Sequence, residues 1–159
     1  MTAHSPSLTR RAVLGAALVN AAMPHLALGQ AGQHLAAGQE ETNMRIRITF
    51  NDRDFTATLY DNPSAGDLAS MLPLDLTVDD YSNNEKIAYL PRKLTEAGSR
   101  PFASEAPGDL CYYAPWGNLA LFYADYRYSR GLIRLGRLDG GIEPLLARGK
   151  FPLRIERIS

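Results

Sequence analysis

Histidine is missing from most of this chain. The three histidines, His4, His25 and His34, all lie near the N-terminus, and there is none from Leu35 onward. Catalysis by Ser-His-Asp or Cys-His arrangements is therefore excluded from the rest of the chain. The usual imidazole ligands of zinc, iron and copper are excluded with it. Any acid–base chemistry would fall to carboxylates, tyrosines or lysines.

The chain has a single cysteine and a formal net charge of zero. Cys111 is the only cysteine, so an intramolecular disulfide is excluded. It lies in an apolar stretch without a basic neighbour, which predicts a buried and unreactive thiol. The chain has 17 basic and 17 acidic residues, and two of each fall in residues 1–43. The remainder is therefore balanced as well, and we expect no nucleic-acid partner and no attraction to an anionic membrane.

The first 31 residues have the layout of a secretory signal peptide. Polar residues end in the pair Arg10-Arg11, the apolar run Ala12–Val19 follows, and small residues over 29–31 mark the expected cleavage region. The run is too short for a stable membrane span. The position of the arginine pair resembles a twin-arginine signal, and the alternative is an amphipathic N-terminal helix. We expect a periplasmic or secreted protein with no stable membrane insertion after cleavage.

Two further segments follow the signal peptide. Residues 32–43 are polar, contain glycine and lack periodicity, which predicts a flexible linker. Residues 44–159 form the predicted folded domain. Two short helices are expected, one starting at Asn62 with Ser64 and Asp67 as a capping pair, and one over Ile142–Arg148. Apolar alternation or continuous apolar runs predict strands at 45–50, 55–59, 74–78, 85–90, 110–114, 119–124, 132–138 and 151–155.

The stretch Gly108–Gly136 holds half of the aromatic residues. Two apolar runs, Leu110–Ala114 and Leu119–Ala124, flank the turn residues Pro115-Trp116-Gly117-Asn118. This pattern predicts a β-hairpin with both arms central in a sheet. Gly131 and Gly136 are candidate bulge points of the next strand, predicted over 132–138. Strands at the observed spacing indicate a closed or nearly closed barrel.

The short sequence motifs of the domain, taken in chain order, resemble those of the small bacterial proteins of the cyclophilin-like fold. The words that carry the resemblance are 45–48 (RIRI), 55–59 (FTATL), 61–63 (DNP), 72–74 (LPL), 84–86 (NEK), 90–91 (LP), 108–110 (GDL), 121–123 (LFY) and 135–138 (LGRL). They cover nearly all of residues 44–159. The resemblance implies a mainly β fold, a closed eight-stranded barrel with two short helices at its ends.

The resemblance implies no defined activity. True cyclophilins isomerise X-Pro bonds, and an arginine in an apolar aromatic pocket hydrogen-bonds the proline amide. The words around that arginine, an R-x-I-P-G-F-like strand and a Gly-Gly-Asp-Phe turn, are absent here, so no catalytic residue is carried over. Three functions stay open: a binding module for a small molecule or an extended peptide, a weak prolyl isomerase using an arginine elsewhere, and a structural interaction domain. The first is preferred, and no cofactor is expected.

Aromatic and basic residues supply the candidate ligand site. Trp116, Tyr126 and Tyr128 are expected to be accessible, and four arginines at 127, 130, 134 and 137 are expected to form a solvated strand edge rather than an anion site. The carboxylate pairs 52/54 and 79/80 are expected to be solvated rather than to bind a metal. The candidate ligand-binding residues are Tyr89, Arg92, Tyr113, Trp116, Tyr126, Arg127 and Tyr128.

Overall fold

The computed structural model describes residues 40–158, which form eight β-strands, one α-helix and one 3-10 turn. The strands are β1 (Glu41–Phe50), β2 (Arg53–Tyr60), β3 (Leu74–Tyr81), β4 (Glu85–Tyr89), β5 (Asp109–Tyr113), β6 (Asn118–Phe122), β7 (Leu132–Leu138) and β8 (Phe151–Arg157). The helix α1 covers Pro63–Ser70. The second predicted helix is only a 3-10 turn over Glu143–Leu146, because the backbone becomes extended at Ala147.

The eight strands close into an antiparallel barrel in the order β1-β2-β7-β5-β6-β4-β3-β8. Closure is made by β8, which pairs with β1 on one side and with β3 on the other. The predicted hairpin is confirmed, because β5 and β6 pair from Leu110 opposite Leu121 to Tyr113 opposite Asn118. The predicted fold class, a mainly β closed eight-stranded barrel, is therefore confirmed.

The barrel interior is filled by apolar side chains and one buried cation. Alternate residues of each strand point inward, such as Tyr112 of β5, which is fully buried. Lys86 of β4 is also 0% exposed, and its Nζ lies 2.7 Å from Asp80 Oδ1. The same ammonium lies 5.7 Å from the ring centre of Phe50 and 5.8 Å from that of Phe151. A buried charge needs such a partner, so the ion pair belongs to the core.

The start of α1 differs from the sequence prediction. Asn62 is the capping residue, because its side chain accepts a hydrogen bond of 2.9 Å from the backbone N–H three residues on. Pro63 follows at the first helical position, where a missing N–H is harmless. The predicted capping pair is wrong because both side chains are engaged elsewhere. Ser64 donates to a loop carbonyl at 2.5 Å, and Asp67 accepts from Arg92 at 2.7 Å.

Strand β7 carries a bulge opposite β5. Leu110 pairs with Gly136, whereas the next residue of β5 pairs with Arg134, so Leu135 is the extra residue. This confirms the predicted bulge point at Gly136, whereas Gly131, the other candidate, lies before β7 begins. A Cβ added at Gly136 would lie 2.3 Å from the carbonyl oxygen of Thr58, so only glycine fits against β2 at this position.

Some sequence predictions fall outside the described residues. The signal peptide predicted over 1–31, with its arginines, and residues 32–39 of the predicted linker are among them. Strand β1 begins at Glu41, inside the stretch predicted as linker, and Thr42 Oγ1 donates to the carbonyl of Leu59 at 2.9 Å. Within residues 40–158, no helix has the length and apolar character needed to cross a membrane.

Candidate ligand-binding site

The outer wall of the barrel carries a cavity beside β3, β4, β5 and β6. Side chains that point outward from neighbouring strands form rows across this wall. One row joins Tyr81, Glu85 and Phe122 across β3, β4 and β6. Another joins Asn118 of β6 to Tyr113 of β5. A cavity of about 280 Å³ lies between these rows and the loop that joins β6 to β7.

Glu85 is a half-buried carboxylic acid in the cavity wall. Its cross-strand neighbours are Tyr81 and Phe122, neither of which carries a positive charge. Within residues 40–158, no hydrogen bond or ion pair to its carboxyl group is present. Burial raises the pKa of Glu85 to about 7, because the charged form loses water without gaining a partner. Above that pH, the cavity wall holds an ionised carboxylate that the described part of the chain does not neutralise.

Asn118 supplies a second acceptor in the same cavity. The residue is only 2% exposed, and its Nδ2 donates to the carbonyl of Leu119 at 3.0 Å. This bond fixes the amide orientation, because the opposite orientation would place two carbonyl oxygens against each other. Among residues 40–158, Oδ1 of Asn118 has no hydrogen-bond partner and almost no surface exposed to solvent. An unsatisfied buried polar atom is uncommon and costs about 1–3 kcal/mol.

Three aromatic residues form another part of the cavity wall. The ring of Trp116 stands edge-to-face against Tyr81, with centroids 5.3 Å apart, and against Tyr113, with centroids 5.5 Å apart. Tyr81 is 42% exposed and Trp116 is 47% exposed, although the two rings touch. Large aromatic rings that stay accessible beside a cavity are typical of ligand contacts. Trp116 is also the only tryptophan of the chain.

A buried polar network lies next to the cavity. The carboxylate of Asp109 is fully buried and binds Arg134 at 3.1 Å and Arg137 at 2.8 Å. The hydroxyl of Tyr126 donates to the same carboxylate at 2.7 Å. Burial, followed by the neighbouring Cys111, keeps the pKa of Tyr126 far above its ordinary value. The Tyr126 hydroxyl therefore keeps its proton and donates it in the hydrogen bond to Asp109.

The single cysteine has no exposed surface. Cys111 is 0% exposed, and burial is the main cause that raises the pKa of its thiol well above the ordinary value. Its Sγ lies 3.7 Å from the hydroxyl of Tyr126. The prediction of a buried, unreactive thiol is confirmed.

The expectation of a solvated arginine edge is wrong for Arg134. Its guanidinium is buried under the loop between β4 and β5, donates to the carbonyl of Ala103 at 3.3 Å and lies 4.3 Å from the ring centre of Phe102. The loop and Asp109 together remove it from solvent. Arg127 and Arg130 are exposed, as expected.

Four of the seven predicted site residues line the cavity. They are Tyr113, Trp116, Tyr126 and Arg127. Tyr126 is not accessible as expected, since only 8% of it is exposed. Its ring stacks on Phe122 with centroids 3.6 Å apart, and its hydroxyl is held by Asp109. Its role at the cavity is therefore to support the wall.

The other three predicted site residues lie elsewhere. Tyr128 borders a second cavity of about 690 Å³ between loops, together with Ser99 and Arg130. Tyr89 is 57% exposed and lines neither cavity. Arg92 also lines neither, because its guanidinium holds Asp67 at 2.7 Å beside α1. None of these three residues therefore lines the outer-wall cavity with Trp116, although Tyr89 pairs with the cavity residue Asn118 across β4 and β6.

Sequence reasoning missed Tyr81, Glu85 and Asn118 as cavity residues. In the sequence, Glu85 follows a polar turn and resembles a solvated strand end. Alternation in the sequence points the wrong way, because apolar Ile87 shares the face of Glu85, whereas the structure turns Lys86 into the barrel and Glu85 outward. The pairing of β4 with both β3 and β6 brings the three residues to one wall, and no local sequence pattern specifies that pairing.

The carboxylate pairs do not form a metal site in the described residues. Among residues 40–158, no group of three or more His, Cys, Asp or Glu side chains is placed to hold a metal ion. Burial works to raise the pKa of Asp80, but hydrogen bonds from Lys86 and from the backbone N–H of Gly149 hold it below its usual value. Asp52 and Asp54 are exposed at the β1–β2 turn, as expected.

Comparisons with known proteins identify one family and one similar fold. The family model described as "Cyclophilin-like family" matches residues 48–156. The solution structure of a hypothetical protein from Archaeoglobus fulgidus is 19% identical in sequence, with a TM-score of 0.53. The match covers 76% of this chain and 99% of that one. At this identity, the likeness shows the fold alone. No curated protein matches the sequence.

Proposed function

The chain belongs to the cyclophilin-like family, and from that premise we propose that it is an exported, non-enzymatic binding domain whose outer-wall cavity takes a small molecule. The observation that carries the proposal is the pair of unpartnered polar groups, Glu85 and Asn118, within one aromatic-walled cavity. The volume of about 280 Å³ lies just below the usual range for ligand sites, roughly 300–1,000 Å³. It therefore favours a small molecule over an extended peptide.

The cavity can be tested with a matched pair of blocking substitutions. Ser129 lines the outer-wall cavity and Ser99 lines the second cavity, and both are exposed loop residues. A small-molecule screen on the full-length chain would use the fluorescence of Trp116 as the binding signal. Ser129→Phe should abolish the response to a ligand of the outer-wall cavity, whereas Ser99→Phe should leave it intact. Equal responses in the two variants, or no ligand from the screen, would refute the proposal.

Weak prolyl isomerisation is the second candidate function, and Arg127 is the observation that favours it. An isomerase needs an apolar pocket and a donor to the proline amide, and the barrier without a catalyst is about 18–20 kcal/mol. Arg127 lines the cavity beside Trp116 and Phe122. Arg134 and Arg137 are held by Asp109 and are not available. A protease-coupled proline-peptide assay showing turnover that Arg127→Ala removes would replace the binding proposal.

Export is proposed from the sequence at the N-terminus. The pair Arg10-Arg11 stands directly before an apolar run, which supports a twin-arginine signal. Changing both arginines to lysine should leave the precursor in the cytoplasm, whereas Arg53→Lys, an exposed change in β2, should not. Cell fractionation measures both. Undiminished periplasmic protein after the double change would replace the twin-arginine route with a general secretory one.

A further inference from the structure

We propose that the ligand of the outer-wall cavity is a small organic cation, a primary ammonium or a guanidinium, whose N–H groups bind the Glu85 carboxylate. This inference rests on the proposed binding function and specifies the chemical class of the ligand. The rings of Tyr81, Tyr113 and Trp116 would enclose the cation beside this carboxylate.

The unpartnered carboxylate of Glu85 is a hydrogen-bond acceptor. An ionised carboxylate only accepts, so it requires donors, and an ammonium carries three while a guanidinium carries five. An anionic ligand would instead meet a like charge at Glu85.

The aromatic wall favours the same class of ligand. The faces of aromatic rings attract cations, with Trp ahead of Tyr and Phe. Trp116 contacts both tyrosines of the wall, so the three rings are held as one unit. The exposed surfaces of Tyr81 and Trp116 leave the cavity accessible from solvent.

No cation within the described residues already neutralises Glu85. The neighbouring Lys86 points into the barrel and is paired with Asp80 at 2.7 Å. Arg127 lines the cavity but is exposed and makes no ion pair with Glu85. A bound organic cation would therefore be the counter-ion that the cavity lacks, and Arg127 is not part of its binding.

Three probes of similar shape and different charge test the inference. They are phenethylamine, which is an ammonium near neutral pH, the neutral 2-phenylethanol, and the anionic phenylacetate. Each probe is titrated into the full-length chain while the fluorescence of Trp116 is followed. The titrations are done at about pH 8, where Glu85, with its pKa of about 7, is ionised. We expect phenethylamine to bind at least about tenfold more tightly than the alcohol, and phenylacetate to bind least.

Substitutions then assign the charge preference to one side chain. Glu85→Gln keeps the shape and removes the charge, and it should weaken phenethylamine binding about tenfold or more while leaving the alcohol within about twofold. Glu96→Gln makes the same chemical change at an exposed loop residue outside this cavity and should have no effect. Arg127→Gln should leave phenethylamine binding equal or tighter.

The outcomes separate this inference from the proposed function. Tighter binding of the alcohol or of phenylacetate, or phenethylamine binding that survives Glu85→Gln, would overturn the cation class. If Ser129→Phe still blocked that binding, the cavity itself would stand as a binding site. If none of the three probes changed the Trp116 fluorescence, the inference that the ligand is an organic cation would also be wrong. The broader small-molecule screen would then decide whether the cavity binds a ligand at all.

Discussion

Replacing Glu85 by glutamine should stabilise the domain at alkaline pH and leave its stability at acid pH nearly unchanged. Burial raises the pKa of Glu85 from 4.5 to about 7. Between these two values, the folded protein keeps a proton on Glu85 that the unfolded chain has lost. The folded state binds more protons in this window, so the free energy of unfolding falls as the pH rises through it. Above about pH 7, the loss attributable to Glu85 is complete.

The magnitude follows from the same pKa values. A rise from 4.5 to about 7 corresponds to about 3 kcal/mol, at about 1.4 kcal/mol for each unit of pKa. Because the side chain is only half-buried and retains contact with solvent, we expect a measured gain of about 1–3 kcal/mol for Glu85→Gln. With a urea slope of about 1–3 kcal/mol per molar, the unfolding midpoint should rise by roughly 1 M.

Urea unfolding of the original chain and the variant at about pH 4.5 and about pH 8 measures the effect. The quantity to compare at each pH is the difference in the free energy of unfolding between the two chains, because the contributions of the other titrating groups largely cancel in it. Glu96→Gln, the same change at an exposed residue, should show no pH-dependent difference. A Glu85→Gln variant that is less stable than the original chain at the higher pH would refute the idea of an uncompensated carboxylate. So would a difference that does not change with pH.

Two further predictions concern the barrel. Asp80→Ala should destabilise the domain by about 3–5 kcal/mol because it leaves buried Lys86 without its carboxylate. Lys86→Met removes the buried charge and should lower the free energy of unfolding less in the same urea titration. Gly136→Ala should destabilise by about 3 kcal/mol or more, because the new Cβ would lie 2.3 Å from the Thr58 carbonyl oxygen. At Gly66 in α1 an added Cβ would meet nothing within 4 Å, so Gly66→Ala should stabilise the domain by about 0.5–1 kcal/mol. Shifts of the melting temperature in the same direction for Gly136→Ala and Gly66→Ala would contradict this account.

The strands could be predicted because each has one face on the barrel interior. Alternation is clear in β1 and β8, which have exposed residues on the other face. In β5 and β6 it is lost, because the core covers one face and a second apolar cluster covers the other. Continuous apolar runs still predicted central strands there. The order of strands around the barrel has no local signal, and the sequence analysis did not predict it; the resemblance implied only the closed eight-stranded barrel.

The site was harder to predict because its residues depend on distant contacts. Arg134 looks like an edge residue in the sequence, but Asp109 and a loop about thirty positions earlier remove it from solvent. Ser64 looks like a helix cap, but its hydroxyl donates a hydrogen bond to the backbone carbonyl of Thr95. Glu85 looks solvated until β4 is placed between β3 and β6. Each error is a local preference that a long-range contact overrides.

The closed barrel restricts the way in which a peptide could be recognised. Within residues 40–158, every strand already has a neighbour on each side, so no strand has a whole edge free to receive an added strand. An extended peptide cannot join such a sheet as an added strand, a mode that reads the backbone and tolerates many sequences. A peptide partner would have to be held by the chemistry of one or two of its side chains or of its terminal amine. Closure therefore leaves side-chain contacts, rather than an added strand, as the way in which the barrel would recognise a peptide.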